Sequence, residues 1–207
     1  MSCGSKLSMR AGFSKNVARI GLHGIGALTA CLLPAIVIAA AETPAKRHNE
    51  ITLARLRPGR DRLAAAISLY GRNYRRVVSD SDDVLAWVDS RRRHVLRIEL
   101  GEGGKIVSVT VSAIDPLLED AGGPKTSLPS KALAAGRGLS LGEPRDRVQK
   151  LYGPAASSGP STQQGYELEL MFYSFDWAGS EVPQVMEVTS ERSTGRVVQI
   201  TLAFPSL

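Results

Sequence analysis

Between positions 138 and 153 the chain reads GLSLGEPRDRVQKLYG, and its first five residues fit G-x-S-x-G, the pattern of a serine nucleophile held between two glycines. In hydrolases built on that pattern the serine stands on a strained turn between a strand and a helix. An acid and a histidine that follow it in the chain complete the proton relay. Ser140 lacks that context. The only histidines beyond residue 41 are His48 and His94, both upstream of it, and the preceding KALAAGR is a poor buried strand. No catalytic residue is therefore predicted, and a small envelope serine hydrolase using Ser140 is kept as an alternative.

Other chemistry is excluded on similar grounds. Two histidines without a cysteine or a close carboxylate pair do not make a transition-metal site. Asp80-x-Asp82-Asp83 lacks the glycine and distal glutamate of a calcium loop. Gly101-x-Gly-Gly-Lys105 falls in a hairpin turn, where no helix N-terminus can offer its amides to a phosphate. No metal, cofactor or small-molecule substrate is expected.

The elements around Ser140 explain it differently. LRPGRDRLAAAISLYG, from Leu56, and LSLGEPRDRVQKLYG, from Leu139, both run from Leu-x-x-Gly to Leu-Tyr-Gly. They read as the same helix twice, with Pro144 in the first helical turn and Gly71 and Gly153 as left-handed stops. GKIVSVTVSA, from Gly104, and GRVVQITLAF, from Gly195, read as the same half-buried strand twice. Between them lie further strand candidates over 83–88 and 95–100 in the first copy, and over 166–177 and 185–188 in the second. The expected fold is α+β, with two tandem units, each a helical segment packed on an antiparallel meander of about three strands.

The boundaries follow from composition. Residues 1–41 carry Lys6, Arg10, Lys15 and Arg19 ahead of a short apolar core ending in Ala39-Ala40-Ala41, the form of a secretory signal peptide cleaved after Ala41. An uncleaved inner-membrane anchor is the alternative. Leu28-Thr29-Ala30-Cys31 also fits a lipobox, although cleavage there would leave apolar residues 32–41 at the head of the mature chain. The leader holds four of the 26 basic residues and none of the 20 acidic ones, so the net charge falls from +6 to +2 once it is removed. That is not the basic footprint of a nucleic-acid binder. Both cysteines lie in the leader, leaving the rest without a disulfide. Residues 42–50 read as a flexible arm, 51–113 as the first unit, 114–136 as a Pro/Gly-rich linker and 137–207 as the second unit.

Two features suggest binding. Arg75, Arg76, Arg91, Arg92 and Arg93 cluster in the first unit, where 42–113 hold 14 basic and nine acidic residues against eight and 11 in 114–207. They are candidate anion-binding residues for an acidic protein patch, a lipid or a glycan, and also fit a solvated, ion-paired surface. The segment 166–177 alternates Tyr166, Leu168, Leu170 and Phe172 on one face with Met171, Tyr173, Phe175 and Trp177 on the other, so one face packs beneath a helix and the other is covered or available. Trp87, Tyr173, Phe175 and Trp177 are the candidate protein-binding anchors, with Arg97 as a polar contact.

A helix between Leu-x-x-Gly and Leu-Tyr-Gly, followed by a meander whose last strand begins Gly-[Lys/Arg]-[Ile/Val], resembles the BamE (SmpA/OmlA) small-lipoprotein family. Two copies in one secreted chain resemble the tandem β-lactamase inhibitor protein family. The resemblance implies a non-catalytic periplasmic or secreted binding or scaffold protein that recognises a protein partner of the cell envelope through a sheet face. Membrane contact is allowed but not required, and nucleic acid is not expected.

Overall fold

The computed structural model describes residues 48–77, 83–120, 122–175 and 184–204. The predicted leader, most of the predicted arm, Asp80, Asp82 and Trp177 lie outside the described residues. No helix among the described residues is long and apolar enough to cross a membrane.

The two Leu-Tyr-Gly segments form helices α1 (Leu63–Tyr70) and α2 (Arg145–Tyr152). Four strands follow each: β1 (Arg75–Val77), β2 (Asp83–Asp89), β3 (His94–Leu100) and β4 (Ile106–Ser112), then β5 (Ser157–Gln163), β6 (Tyr166–Phe175), β7 (Gln184–Glu191) and β8 (Val197–Ala203). All eight join one antiparallel sheet in the order β1-β2-β3-β4-β8-β7-β6-β5.

This corrects the expected fold class. The chain does not fold as two tandem units of a helix on about three strands. It is mostly a single sheet carrying two short helices. The physical reason lies at the centre, where β4 pairs with β8 from Ser108↔Ala203 to Ser112↔Gln199. Separate meanders would leave these two strands as long exposed edges, and pairing them satisfies both ladders.

One face of the sheet carries the core. Leu85 and Trp87 on β2, Leu96 and Ile98 on β3, Val109 and Val111 on β4, Ile200 and Leu202 on β8, Met186 and Val188 on β7, and Met171, Tyr173 and Phe175 on β6 are all buried there. Ala66 and Tyr70 of α1 and Val148 and Tyr152 of α2 pack into the same cluster. The segment read as a linker belongs to it too. Leu128, Leu133 and Ala135 are buried, and a 3-10 turn over Ser130–Leu133 lies between them.

The Leu-x-x-Gly motif has a common geometry in both places. Gly59 N–H donates to Ile106 O and Gly142 N–H to Val197 O, each at 2.8 Å, and each acceptor is the first residue of a central strand. Both glycines have positive φ, +79° and +80°. Only at Gly59 would an added Cβ also collide, 2.6 Å from Phe204 Cγ. Gly59→Ala is therefore expected to lose about 2–4 kcal/mol, from backbone strain and overpacking together. Gly142→Ala should lose only about 1–2 kcal/mol, from the backbone alone. Urea unfolding of the two variants side by side checks the difference.

The predicted arm is not free at its end. Glu50 is buried and its carboxylate accepts from the Ile51, Thr52 and Arg137 amides and from the Tyr152 hydroxyl.

Candidate functional site

The side of the sheet away from the helices is the candidate site. Because side chains alternate along each strand, the register places one residue of every strand in a single row: Arg75, Ala86, Arg97, Thr110, Thr201, Glu187, Phe172 and Ser157. A parallel row on one side carries Leu170, Thr189, Gln199, Ser112, Val95 and Val88.

The two ends of these rows differ. Over β1 to β3 the face is covered by the chain itself. A 3-10 turn, Pro116–Leu118, lays Leu118 against Ala86, Val88 and Val95, with Val77 and Leu117 at the margin. Asp115 caps that turn by accepting from Leu117 N–H, and its two carboxylate oxygens also receive Arg97 Nε and Nη2. Over β4, β8, β7 and β6 no such apolar cluster forms among the described residues. Thr110 and Thr201 share a hydroxyl hydrogen bond of 2.9 Å at the centre, and Glu187, Leu170 and Phe172 continue outward, each only partly buried.

The sheet curls about this side. β3 and β6 are separated by β4, β8 and β7, which would set them about 19 Å apart in a flat sheet. Yet Arg93, in the β2–β3 turn, and Gln164 and Tyr166, at the β5–β6 turn, line one cavity of about 230 Å³ together with Ile114, Asp115, Pro116 and Glu119. The outer part of the first row, with Leu170, therefore lies in a trough closed at one end by the 114–119 segment, while Ser112 and Thr189 of the parallel row are buried.

The predicted anchors occupy other positions. Trp87, Tyr173 and Phe175 are buried on the core face. Trp87 Nε1 donates to the carbonyl of Gly71 at 3.0 Å, and the Tyr173 hydroxyl to that of Gly153 at 3.3 Å, so each satisfies the end of a helix. As buried groups they present no surface to a partner. Trp177 lies outside the described residues. Arg97 does lie on the second face, where Asp115 engages its guanidinium in a fork.

The arginine cluster is largely neutralised within the chain. Arg75 pairs with Asp120 at 2.8 Å, Arg76 with Asp83 at 3.1 Å, Arg92 with Asp89 at 3.1 Å and Arg93 with Glu119 at 2.6 Å. Arg91 is exposed and has no ion pair among the described residues. An anionic ligand would have to displace carboxylates at four of the five positions. Of those, Asp89 is the most firmly held: burial alone would raise its carboxyl, but amide donors from Leu128 and Arg92 and the Arg92 guanidinium outweigh that and keep it below the usual carboxylate range.

Ser140 is not on a strand-to-helix elbow. It stands in an irregular turn, α2 begins only at Arg145, and its amide donates to Glu143 Oε2 at 3.1 Å. His94 nonetheless lines the same small cavity as Ser140, a proximity that chain order alone does not disclose.

Leu170, Phe172 and Glu187 were missed as candidate contacts. The signal was the alternation in 166–177, which separates two faces but does not say which one a helix will cover. No family model, curated protein or solved structure matches this chain.

Proposed function

We propose that the chain is a non-catalytic binding protein of the bacterial cell envelope that recognises a protein partner through the open half of the second sheet face. The envelope placement rests on the predicted signal peptide, and the mode of recognition on the resemblance to the BamE and β-lactamase inhibitor protein families. The observation that carries the reading is the position of Leu170 and Phe172. They sit partly exposed on the face the helices leave uncovered, beside Glu187 and the Thr110–Thr201 pair. An aromatic and a leucine next to hydrogen-bonding groups in a trough have the composition of an interface centre with a polar surround.

The test uses the full chain in its native envelope. A photo-crosslinking amino acid at Phe172 is expected to give one discrete protein adduct, and the same group at Ser68, on the exposed side of α1, none. Phe172→Ala should weaken capture of that adduct's protein by at least about tenfold, as for an interface hot spot. Its stability should change by no more than about 1 kcal/mol, as for a surface substitution. Absence of any adduct at Phe172 in folded protein sinks the reading.

A further inference from the structure

A second site lies on the opposite side of the sheet, and it does not depend on the protein-binding reading. His94 opens β3, in the same side-chain phase as the core residues Leu96 and Ile98. Over it, the 3-10 turn at Ser130–Leu133 and the turn before α2 enclose a cavity of about 180 Å³. Its lining is His94, Ser130, Lys131, Leu133, Ser140 and Leu141. The space equals that of about six water molecules in the liquid.

The polar groups of this lining are unspent. His94 Nδ1 is buried without a hydrogen-bond partner. The hydroxyls of Ser130 and Ser140 and the ammonium of Lys131 make no side-chain hydrogen bond or ion pair among the described residues. No carboxylate lines the cavity. An ammonium, two hydroxyls and an imidazole N–H can all donate, and a buried polar group left unpaired is costly. A donor-rich wall with a net positive charge selects an anion whose oxygens accept from it. Leu133 and Leu141 make the remainder of the wall apolar, which an inorganic oxyanion would leave unfilled.

We propose that this cavity binds a small aliphatic carboxylate, with its oxygens toward Lys131, the two serines and His94 and its short chain against Leu133 and Leu141. It is a binding site and not a hydrolytic one. No hydrogen bond joins Ser140 to His94 among the described residues, and Ser140 stands in an irregular turn rather than on a strand-to-helix elbow.

The imidazole supplies a readout. Burial lowers the His94 pKa, the Asp89 carboxylate across the hairpin raises it, and Arg92 lowers it again. Lys131 lines the same cavity from the turn above. A carboxylate bound beside the ring would favour the imidazolium and move the titration upward. The ring resonances of His94 and His48 in the full chain are followed by NMR during addition of sodium butyrate at fixed ionic strength, with inorganic phosphate as a second arm.

The expected result is a saturable shift at His94 alone, an upward move of its titration, and at least tenfold weaker binding in Lys131→Met, whose side chain is exposed and not part of the core. Phosphate should bind more weakly than butyrate. A linear shift shared with His48, an undiminished affinity in Lys131→Met, or tighter binding of phosphate would each overturn the assignment. So would covalent labelling of Ser140 by a fluorophosphonate, which would make the site catalytic.

Discussion

Truncation of Tyr173 or Trp87 to alanine is expected to lower stability by about 3–5 kcal/mol, the range for emptying a large aromatic from a packed core. Both side chains are wholly buried. Tyr173 packs 5.8 Å from the ring of Tyr152 and 6.3 Å from that of Phe175, and Trp87 lies 5.2 Å from Tyr74 and 6.1 Å from Tyr70. Each also donates to the carbonyl of the glycine that ends its helix. The truncations therefore remove a ring from the core and a partner from a helix terminus at once. For a domain of this size the loss corresponds to a fall in melting temperature of about 10 °C. Tyr173→Phe keeps the ring and should lose only about 1 kcal/mol, the net worth of one hydrogen bond. The adjacent Phe172 points to the other side, so alanine there is expected to leave stability nearly unchanged and act on binding. Circular dichroism during urea unfolding separates the cases. A wild-type midpoint for Tyr173→Ala would remove this aromatic from the core.

That contrast between neighbours marks the limit of what the sequence made legible. The apolar alternation of β4 and β8, the two helices and the places where glycines end them could be read from residues 104–113, 195–204 and the Leu-Tyr-Gly motifs, because period and turn chemistry are local. The finer geometry differs, since Gly71 and Gly153 join a positive φ to an extended ψ of −178° and −162° instead of a left-handed helical turn, and Pro144 precedes α2 in extended conformation instead of lying in its first turn. The edge strands could not. β5 reads SSGPSTQ, with no large apolar residue and a proline inside it, and β1 is only three residues long. Neither has a buried face to impose alternation, and both form because β6 and β2 offer a ladder. The pairing of β4 with β8 is likewise non-local, joining residues about ninety positions apart, and this is what turned two expected units into one sheet.

The burial of the predicted anchors has a related cause. Tyr173, Phe175 and Trp177 put three aromatic rings on one face of the segment, the mark of an anchor, but large rings are also what fills the space beneath a helix. The charge pattern was similarly ambiguous. Five arginines in 75–93 look like a surplus when counted, whereas Asp83, Asp89, Glu119 and Asp120 return to four of them in space. Three of these pairs are spaced by seven residues or more, beyond what a local count of charges can match.

Glu50 is where the start of the described chain is fastened, and its loss should be the largest polar effect in the protein. Oε1 accepts from Ile51 N–H at 2.8 Å and Thr52 N–H at 3.1 Å, and Oε2 from Arg137 N–H at 2.9 Å and the Tyr152 hydroxyl at 2.8 Å. Gly136 permits the close approach, since a Cβ there would stand 2.6 Å from Oε1. Glu50→Ala removes four acceptor contacts, leaving the buried Tyr152 hydroxyl and three part-buried amides without their partner between the N-terminal segment and the end of α2. A loss of about 3–4 kcal/mol is expected, as for a buried hydrogen-bonded charge taken from its donors. Tyr152→Phe leaves the carboxylate its three amides and should lose only about 1–2 kcal/mol. Burial first, and the Glu50 charge second, push the Tyr152 phenol well above its ordinary value. The folded state thus keeps that proton, and its contribution is complete below about pH 10, where an unfolded tyrosine titrates, and declines above it. In a double-mutant cycle over Glu50 and Tyr152, read by urea unfolding at neutral pH, the two losses should fall short of additivity by about 1 kcal/mol, because the contact is shared. Strict additivity would mean that the 2.8 Å contact does not couple the N-terminal segment to α2.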